Sequence, residues 1–254
     1  MGRRGSGEAG KPGSRRAEQV SAGVLTRVPP SPLPRLVDLS HTIEPGMTTY
    51  PGLPGPIICD FLSREASRAY YAPGVEFQIG KIEMVANTGT YLDSPFHRYA
   101  EGKDLARLPL ESLADLDAVV VRIPAGGGRA IGPAAFQGVG IEGKAVLVQT
   151  GWDIHWRTER YLSGHPFLTG EAAEYLVRQG VVLVGIDSLN IDDTSDPTRP
   201  VHSTLLGAEV PIVEHMCNLS RLPDRDFRFF AVPAKVAGFG TWPVRAFGQV
   251  PSVK

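Results

Sequence analysis

A mixed α/β fold is what this sequence predicts, and three observations predict it. Two valine-rich apolar runs, residues 118–123 and 145–150, are bounded by glycine or proline, as buried strands are. A third apolar run, 181–187, follows directly on a segment with the pattern of a helix. Alternating segments at 36–40 and 75–85 add further strands, so strands outnumber helices while a helix-to-strand step is present.

The elements follow in order. Residues 1–35 read as a disordered tail: Arg3, Arg4, Lys11, Arg15 and Arg16 lie among Gly and Ser, and Val28 to Pro34 is a stiff, proline-rich linker. The tail lacks the apolar core of a secretory signal. The folded domain is expected over 36–254, beginning with a short strand at Leu36 to Ser40 and a turn at Glu44-Pro45-Gly46. In 75–85 the residues Val75, Phe77, Ile79, Ile82 and Met84 are expected to face inward, the segment leading straight into residues 87–97. Thr169 is a good N-cap for a helix that Gly180 ends, and 181–187 is then a buried strand finishing in a carboxylate, Asp187.

Composition excludes several classes. Of 254 residues, 42% are hydrophobic and 21% charged, ordinary for a globular chain, and no apolar run approaches the length of a membrane span. The formal net charge of −1 gives no overall pull toward nucleic acid or anionic lipid, so neither is expected as a partner. The two cysteines, Cys59 and Cys217, form neither a disulfide framework nor a CxxC metal site, and free thiols in a reducing cytoplasm are expected. Cys217 lies near His215 in sequence, but catalytic partners meet in space, and a structural thiol is the better reading.

The chemistry concentrates in Asn87-Thr88-Gly89-Thr90-Tyr91-Leu92-Asp93-Ser94-Pro95-Phe96-His97. Gly89 permits positive φ or close approach, and Pro95 stiffens the chain after Asp93. In an extended segment residues two apart share a face, which would gather Tyr91, Asp93 and His97 around one cavity.

Gly89, Thr90, Asp93, Pro95 and His97 resemble the His-x-Gly-Thr-His-x-Asp-x-Pro-x-His pattern of the cyclase-like metal-dependent hydrolases, the family that includes bacterial kynurenine formamidase and isatin hydrolase. Asn87 and Tyr91 stand where that pattern has its first two histidines. The resemblance continues through Asp38 to Ile43, Gly185-Ile186-Asp187-Ser188, His202 with Leu205-Leu206, Ile212-Val213-Glu214 and Pro243 to Ala246, and so spans about Leu36 to Phe247. It implies a single domain with a β-barrel-like core flanked by helices, a homodimer or homotetramer, and hydrolysis of an amide, cyclic amide or lactone in a small substrate. By position it implies a first metal site reduced to Asn87, Tyr91 and Asp93, and a second, complete one of Asp93, His202 and Glu214.

An amide and a phenol replace imidazoles poorly at zinc, whereas one imidazole with two carboxylates suits Mn²⁺ as well as Zn²⁺, so one divalent ion is expected. His97 matches the family's general acid/base, and Tyr91 is the candidate donor to a developing oxyanion. Asn87, Phe96, Tyr50 and Trp152 are candidate substrate contacts that suit a flat aryl group. Asp187 is read either as a strand-end cap or as support behind the site, His41 as a solvated turn residue in preference to one that approaches the site, and His155 and His165 as structural or substrate-facing and not as ligands. His215, next to Glu214 on a strand, is expected to point away from the site. Two other functions compete with the hydrolase: a small-molecule binding protein, and a metal-free lyase or isomerase using His97 and Tyr91. The retained set Asp93, His97, His202 and Glu214 favours the hydrolase.

Overall fold

The valine-rich runs become the middle of one large sheet in the computed structural model, which describes residues 34–124 and 126–252. In chain order the strands are β1 (Arg35–Asp38), β2 (Ile57–Leu62), β3 (Ile79–Glu83), β4 (Tyr91–Asp93), β5 (Leu116–Arg122), β6 (Ala130–Ile131) and β7 (Ala145–Gln149). They continue as β8 (Phe167–Leu168), β9 (Leu183–Ile186), β10 (Ile212–Glu214), β11 (Phe227–Phe230), β12 (Thr241–Pro243) and β13 (Phe247–Val250). The helices are α1 (Arg64–Ser67), α2 (Gly170–Arg178) and α3 (Pro200–Gly207). The expected tail lies outside the described residues except for its last two, and Arg35 already belongs to a strand.

Nine strands in the order β1-β13-β11-β5-β7-β9-β10-β4-β12 form a curled half-barrel, the mixed α/β architecture the sequence implied. Strands β5, β7, β9 and β10 run parallel to one another, and the strands outside them pair antiparallel. Parallel strands need cover on both faces, and the side-chain period of two supplies it. Ala118, Val120, Ala145 and Leu147 face one apolar layer with Phe229 and Met216, while Val119, Val121, Val146 and Val148 face the other, beneath α2 and α3. Helix α2 matches its expected limits: Thr169 Oγ1 accepts from the Ala172 N–H at 3.2 Å. Asp187 caps the end of β9, accepting from the Thr150 N–H at 2.8 Å, the Thr150 hydroxyl at 2.6 Å and the Gly151 N–H at 2.9 Å.

The inward-facing expectation for 75–85 is overturned. β3 pairs only with β2, in a two-stranded ribbon separate from the main sheet. Neither face of such a ribbon has a layer to pack on, so Phe61 (75%), Phe77 (53%), Ile79 (48%) and Ile82 (56%) are exposed. His41 is likewise not solvated: its ring stacks on Trp156 with centroids 4.0 Å apart, and burial pushes its pKa down to about 4.

The two thiols differ in kind. Cys59 lies exposed on β2, whereas Cys217 is buried, and burial pushes its thiol up to about 12. A disulfide-exchange reagent at pH 8 should therefore titrate one thiol quickly in the native protein and the second only after denaturation. Loss of the fast phase in Cys59→Ser checks the assignment, and rapid labelling of Cys217 would contradict it.

Candidate active site

Strand register builds the site. β4 lies between β10 and β12, with Tyr91 directly opposite Glu214 and Asp93 directly opposite Thr241. Cross-strand partners on one face are close enough to bond. The Tyr91 hydroxyl donates to Glu214 Oε2 at 2.7 Å, and the Thr241 hydroxyl donates to Asp93 Oδ1. The phenol hydrogen is thus engaged by Glu214, rather than free for an oxyanion as the sequence suggested.

The alternation that was to carry His97 ends at Asp93, because Pro95–His97 form a 3₁₀ turn. The turn, not a strand, swings His97 to the site, and Gly240 makes room: a Cβ there would meet the His97 Cα at 2.6 Å. Thr241 Oγ1 has already given its one hydrogen to Asp93. At 2.8 Å it accepts from His97 Nδ1–H, leaving His97 Nε2 as the nitrogen with a free lone pair. Gly89, with φ of 68°, takes the left-handed turn that its place in the motif requires.

His202 arrives on α3, and Asp192 aims it. Asp192 accepts from the N–H groups of Val201 (2.7 Å) and His202 (3.0 Å), capping the helix in place of Arg199, and it holds His202 Nδ1 at 2.6 Å. His202 Nε2 then faces Asp93 Oδ2 and Glu214 Oε1, each 3.7 Å away. That is too long for a hydrogen bond, yet it suits donor atoms that share an ion at about 2.0–2.2 Å each. Asp93 Oδ2 is buried with no hydrogen-bond partner, and a carboxylate behind the histidine is the usual support of a metal-binding imidazole. Among the described residues, the group whose donor atoms could hold a divalent cation is Asp93, His97 and His202, all within 4.8 Å of one another. Glu214 Oε1 adjoins that group through His202 Nε2, 3.7 Å away, without being one of its members.

The charges follow from burial and contact. Burial opposes ionisation of Asp93, but His97, His202 and Thr241 outweigh it and hold the carboxyl below its usual range. Burial raises Glu214 to about 7 against the opposing pull of His202. For His202, burial lowers the pKa, and Asp192, Asp93 and Glu214 reverse this and push it to about 10. Burial with Glu214 and Asp93 nearby lifts Tyr91 far above its ordinary value, so the phenol stays neutral.

A cleft of about 430 Å³ opens over these groups, lined by Tyr50, Asn87, Tyr91, His97, His202 and Glu214 together with Arg98, Asn190 and Arg199. Tyr50 and Asn87 thus line the cleft. Phe96 does not line that cleft: it borders an adjoining depression that shares Asn87 and His97 with it. Trp152 is also displaced, because its indole N–H is tied to the Tyr161 carbonyl at 3.1 Å and it does not line the cleft. His215 corrects the expectation in the other direction. It follows the last residue of β10 with φ of 54°, which breaks strand alternation and returns its ring to 3.3 Å from the Tyr91 hydroxyl. Asp192, Thr241, His215 and Tyr161 were not expected at the site. Nothing in their local sequence marks them, since each reaches it through a distant strand or loop.

A family model described as "Putative cyclase" matches residues 37–193, more than half of the chain, and the protein belongs to that family. The kynurenine formamidase of Bacillus cytotoxicus is 28% identical over 219 residues, covering 83% of this chain and 95% of that protein. The kynurenine formamidase of Maricaulis maris is 26% identical over 220 residues, covering 84% and 96%. Among solved structures, isatin hydrolase A from Labrenzia aggregata bound to benzyl benzoate superposes with a TM-score of 0.74 at 22% identity, covering 86% of this chain and 94% of that one. A potential metal-dependent hydrolase with cyclase activity gives a TM-score of 0.71 at 24% identity, covering 87% and 100%.

A pH dependence follows from His202. An unfolded imidazole titrates near 6.5 and the folded one near 10, so its stabilisation is complete below pH 6.5 and is lost as pH rises through 10. Glu214, raised from 4.5 to about 7, also lowers stability with rising pH, but in the window below His202's. Thermal melts of metal-free protein should decline between pH 7 and pH 10, and Asp192→Asn should flatten that decline. A flat profile in the parent protein contradicts the assignment.

Proposed function

We propose that the protein is an arylformamidase-like hydrolase that cleaves an amide, cyclic amide or lactone bond in a small aryl substrate with the help of one divalent ion, Mn²⁺ or Zn²⁺. The carrying observation is His202 Nε2 facing Asp93 Oδ2 and Glu214 Oε1, with the free nitrogen of His97 alongside. Relatives named kynurenine formamidase, matched over nearly their whole length, support the same reaction class. Asp93, His202 and Glu214 would hold the ion, which would supply Lewis-acid chemistry at the scissile carbonyl and at water. His97 Nε2 takes the proton from attacking water and returns it to the leaving group, its ring held by the Nδ1–H bond to Thr241. Tyr50 and Leu53 wall the cleft against a flat substrate, and Asn87 supplies a polar contact.

Arg98 and Arg199 line the same cleft, and neither is in an ion pair among the described residues. They suit a substrate whose ring carries a carboxylate. After loading and dialysis, elemental analysis should find about one equivalent of Mn²⁺ or Zn²⁺, and less than about a tenth would sink the metal reading. Asp93→Ala and Glu214→Ala should abolish binding, while Asn87→Ala should weaken it far less. The loaded enzyme should hydrolyse 2-formamidobenzoate with a kcat/KM about tenfold above that for formanilide, and Arg199→Gln should narrow the ratio. Binding of these compounds without turnover would favour the binding-protein reading.

We further propose a cytoplasmic homo-oligomer. The unpaired thiols support the compartment, and no described helix is long and apolar enough to cross a membrane. The β2–β3 ribbon supports self-association: Phe61, Ile79 and Ile82 on it and Tyr70 and Phe77 in the segment joining its strands are all exposed, and interfaces bury apolar side chains of this kind. Light scattering should give a mass at least twice the chain's, and Phe61→Ser with Phe77→Ser should reduce it to the monomer. A monomeric parent overturns this.

A further inference from the structure

We propose that His215 and Tyr161 are positioning residues that fix the direction of the Tyr91 hydroxyl and, through it, the orientation of Glu214. Three hydrogen bonds in series carry the inference. Tyr161 Oη lies 2.9 Å from His215 Nδ1, His215 Nε2 lies 3.3 Å from Tyr91 Oη, and Tyr91 donates to Glu214 Oε2 at 2.7 Å. Tyr161, Tyr91 and Glu214 are each 1% exposed and His215 is fully buried, so the chain has to satisfy itself without bulk water.

With Glu214 ionised, only one arrangement of hydrogens does so. Glu214 is surrounded by donors, the Tyr91 hydroxyl and Asn190 Nδ2 on one oxygen and the Ile191 N–H at 2.6 Å on the other. It is therefore the acceptor end. With its hydrogen committed to Glu214, Tyr91 Oη can only accept from His215, which places the ring proton on Nε2. His215 Nδ1 is then bare and accepts from the Tyr161 hydroxyl, whose hydrogen has no other acceptor among the described residues. The opposite tautomer sets the His215 Nε2 lone pair against that of Tyr91 and strands the Tyr161 hydrogen.

The backbone supports the same geometry. His215 takes a left-handed conformation that residues with a Cβ avoid, and it is pinned there by the Thr90 hydroxyl, which donates to its carbonyl at 2.5 Å. Trp156 packs on both Tyr161 and His215, with centroids 5.0 and 5.7 Å away. Burial pushes the His215 pKa down to about 3, in keeping with a neutral link. Anchored through Tyr91 on Oε2 and Ile191 on Oε1, the Glu214 carboxylate has a fixed plane and keeps Oε1 toward His202. What Glu214 then does for hydrolysis rests on the function proposed above, but the chain of bonds does not.

The deciding measurement is the tautomer of His215 in ¹⁵N-histidine-labelled full-length protein at pH 8.5, read from two-bond ¹⁵N–¹H correlations and assigned by the signals lost in His215→Gln. A ring protonated on Nε2 with bare Nδ1 is expected, and protonation on Nδ1 or an even mixture overturns the proposal. Tyr161→Phe deletes one hydroxyl with little change of shape. It should erode the Nε2 preference and weaken Mn²⁺ binding, measured by calorimetry, about three- to tenfold. His215→Gln, which keeps a donor and an acceptor, should stay within about twofold of the parent, whereas His215→Leu should lose about tenfold or more. An unchanged tautomer in Tyr161→Phe, or parental Mn²⁺ affinity in a folded His215→Leu, overturns the proposal. If the protein proves to bind no metal and hydrolyse nothing, the function above fails while the tautomer still decides the positioning chain.

Discussion

Two carboxylates buried close together, Asp93 on β4 and Glu214 on β10, are the constraint to which the rest of the site answers. An unpaired buried charge is costly, and two of like sign are worse. Each oxygen is therefore met by a donor or aimed at a cation. Thr241 serves Asp93 Oδ1, Tyr91 and Asn190 serve Glu214 Oε2, and Ile191 serves Glu214 Oε1. What remains is Asp93 Oδ2, which has only the edge of His202 before it. A site that satisfies three oxygens and leaves the fourth for a positive partner is arranged for a cation, with His202 as imidazolium filling that role in the metal-free protein.

The same constraint accounts for two of the strained backbone positions. Arg199 holds φ of 50° and ψ of 60° immediately before Pro200, a region that a residue preceding proline avoids. The bend starts α3 where Asp192, rather than Arg199, caps it, and one turn later His202 faces the carboxylates. His215 pays a comparable conformational cost, on the order of 1–3 kcal/mol, to bring its ring back beside Tyr91. Arg199 and His215 are two of the seven non-glycine residues with positive φ among the described residues, and each adjoins a side chain of the site.

Membership of the cyclase family also places the departures at Asn87 and Tyr91. They are part of a polar network and not gaps in one. Tyr91 is fully engaged between Glu214 and His215, and Asn87 lines the cleft beside it. A chain that had merely lost two ligands would have no reason to bury a tyrosine, a histidine and a second tyrosine in one satisfied series.

By itself the sequence determined the elements whose cause is local. Valine-rich runs between glycines and prolines mark buried strands, Thr169 and Gly180 bound a helix, and the 87–97 motif names a family and with it Asp93, His97, His202 and Glu214. Tyr50 and Asn87 were also legible as cleft residues. Only the tertiary structure decided the remainder, because it depends on which strands become neighbours. Register sets Tyr91 against Glu214 and Asp93 against Thr241, and no spacing along the chain contains that pairing. A 3₁₀ turn brings in His97 where alternation was expected, and a single left-handed residue reverses His215. The apolar 75–85 segment reads as core because its pattern is that of a strand, yet its strand pairs only with β2, in a ribbon with no layer to bury it. Periodicity reports which side chains share a face; what that face meets is settled by the fold.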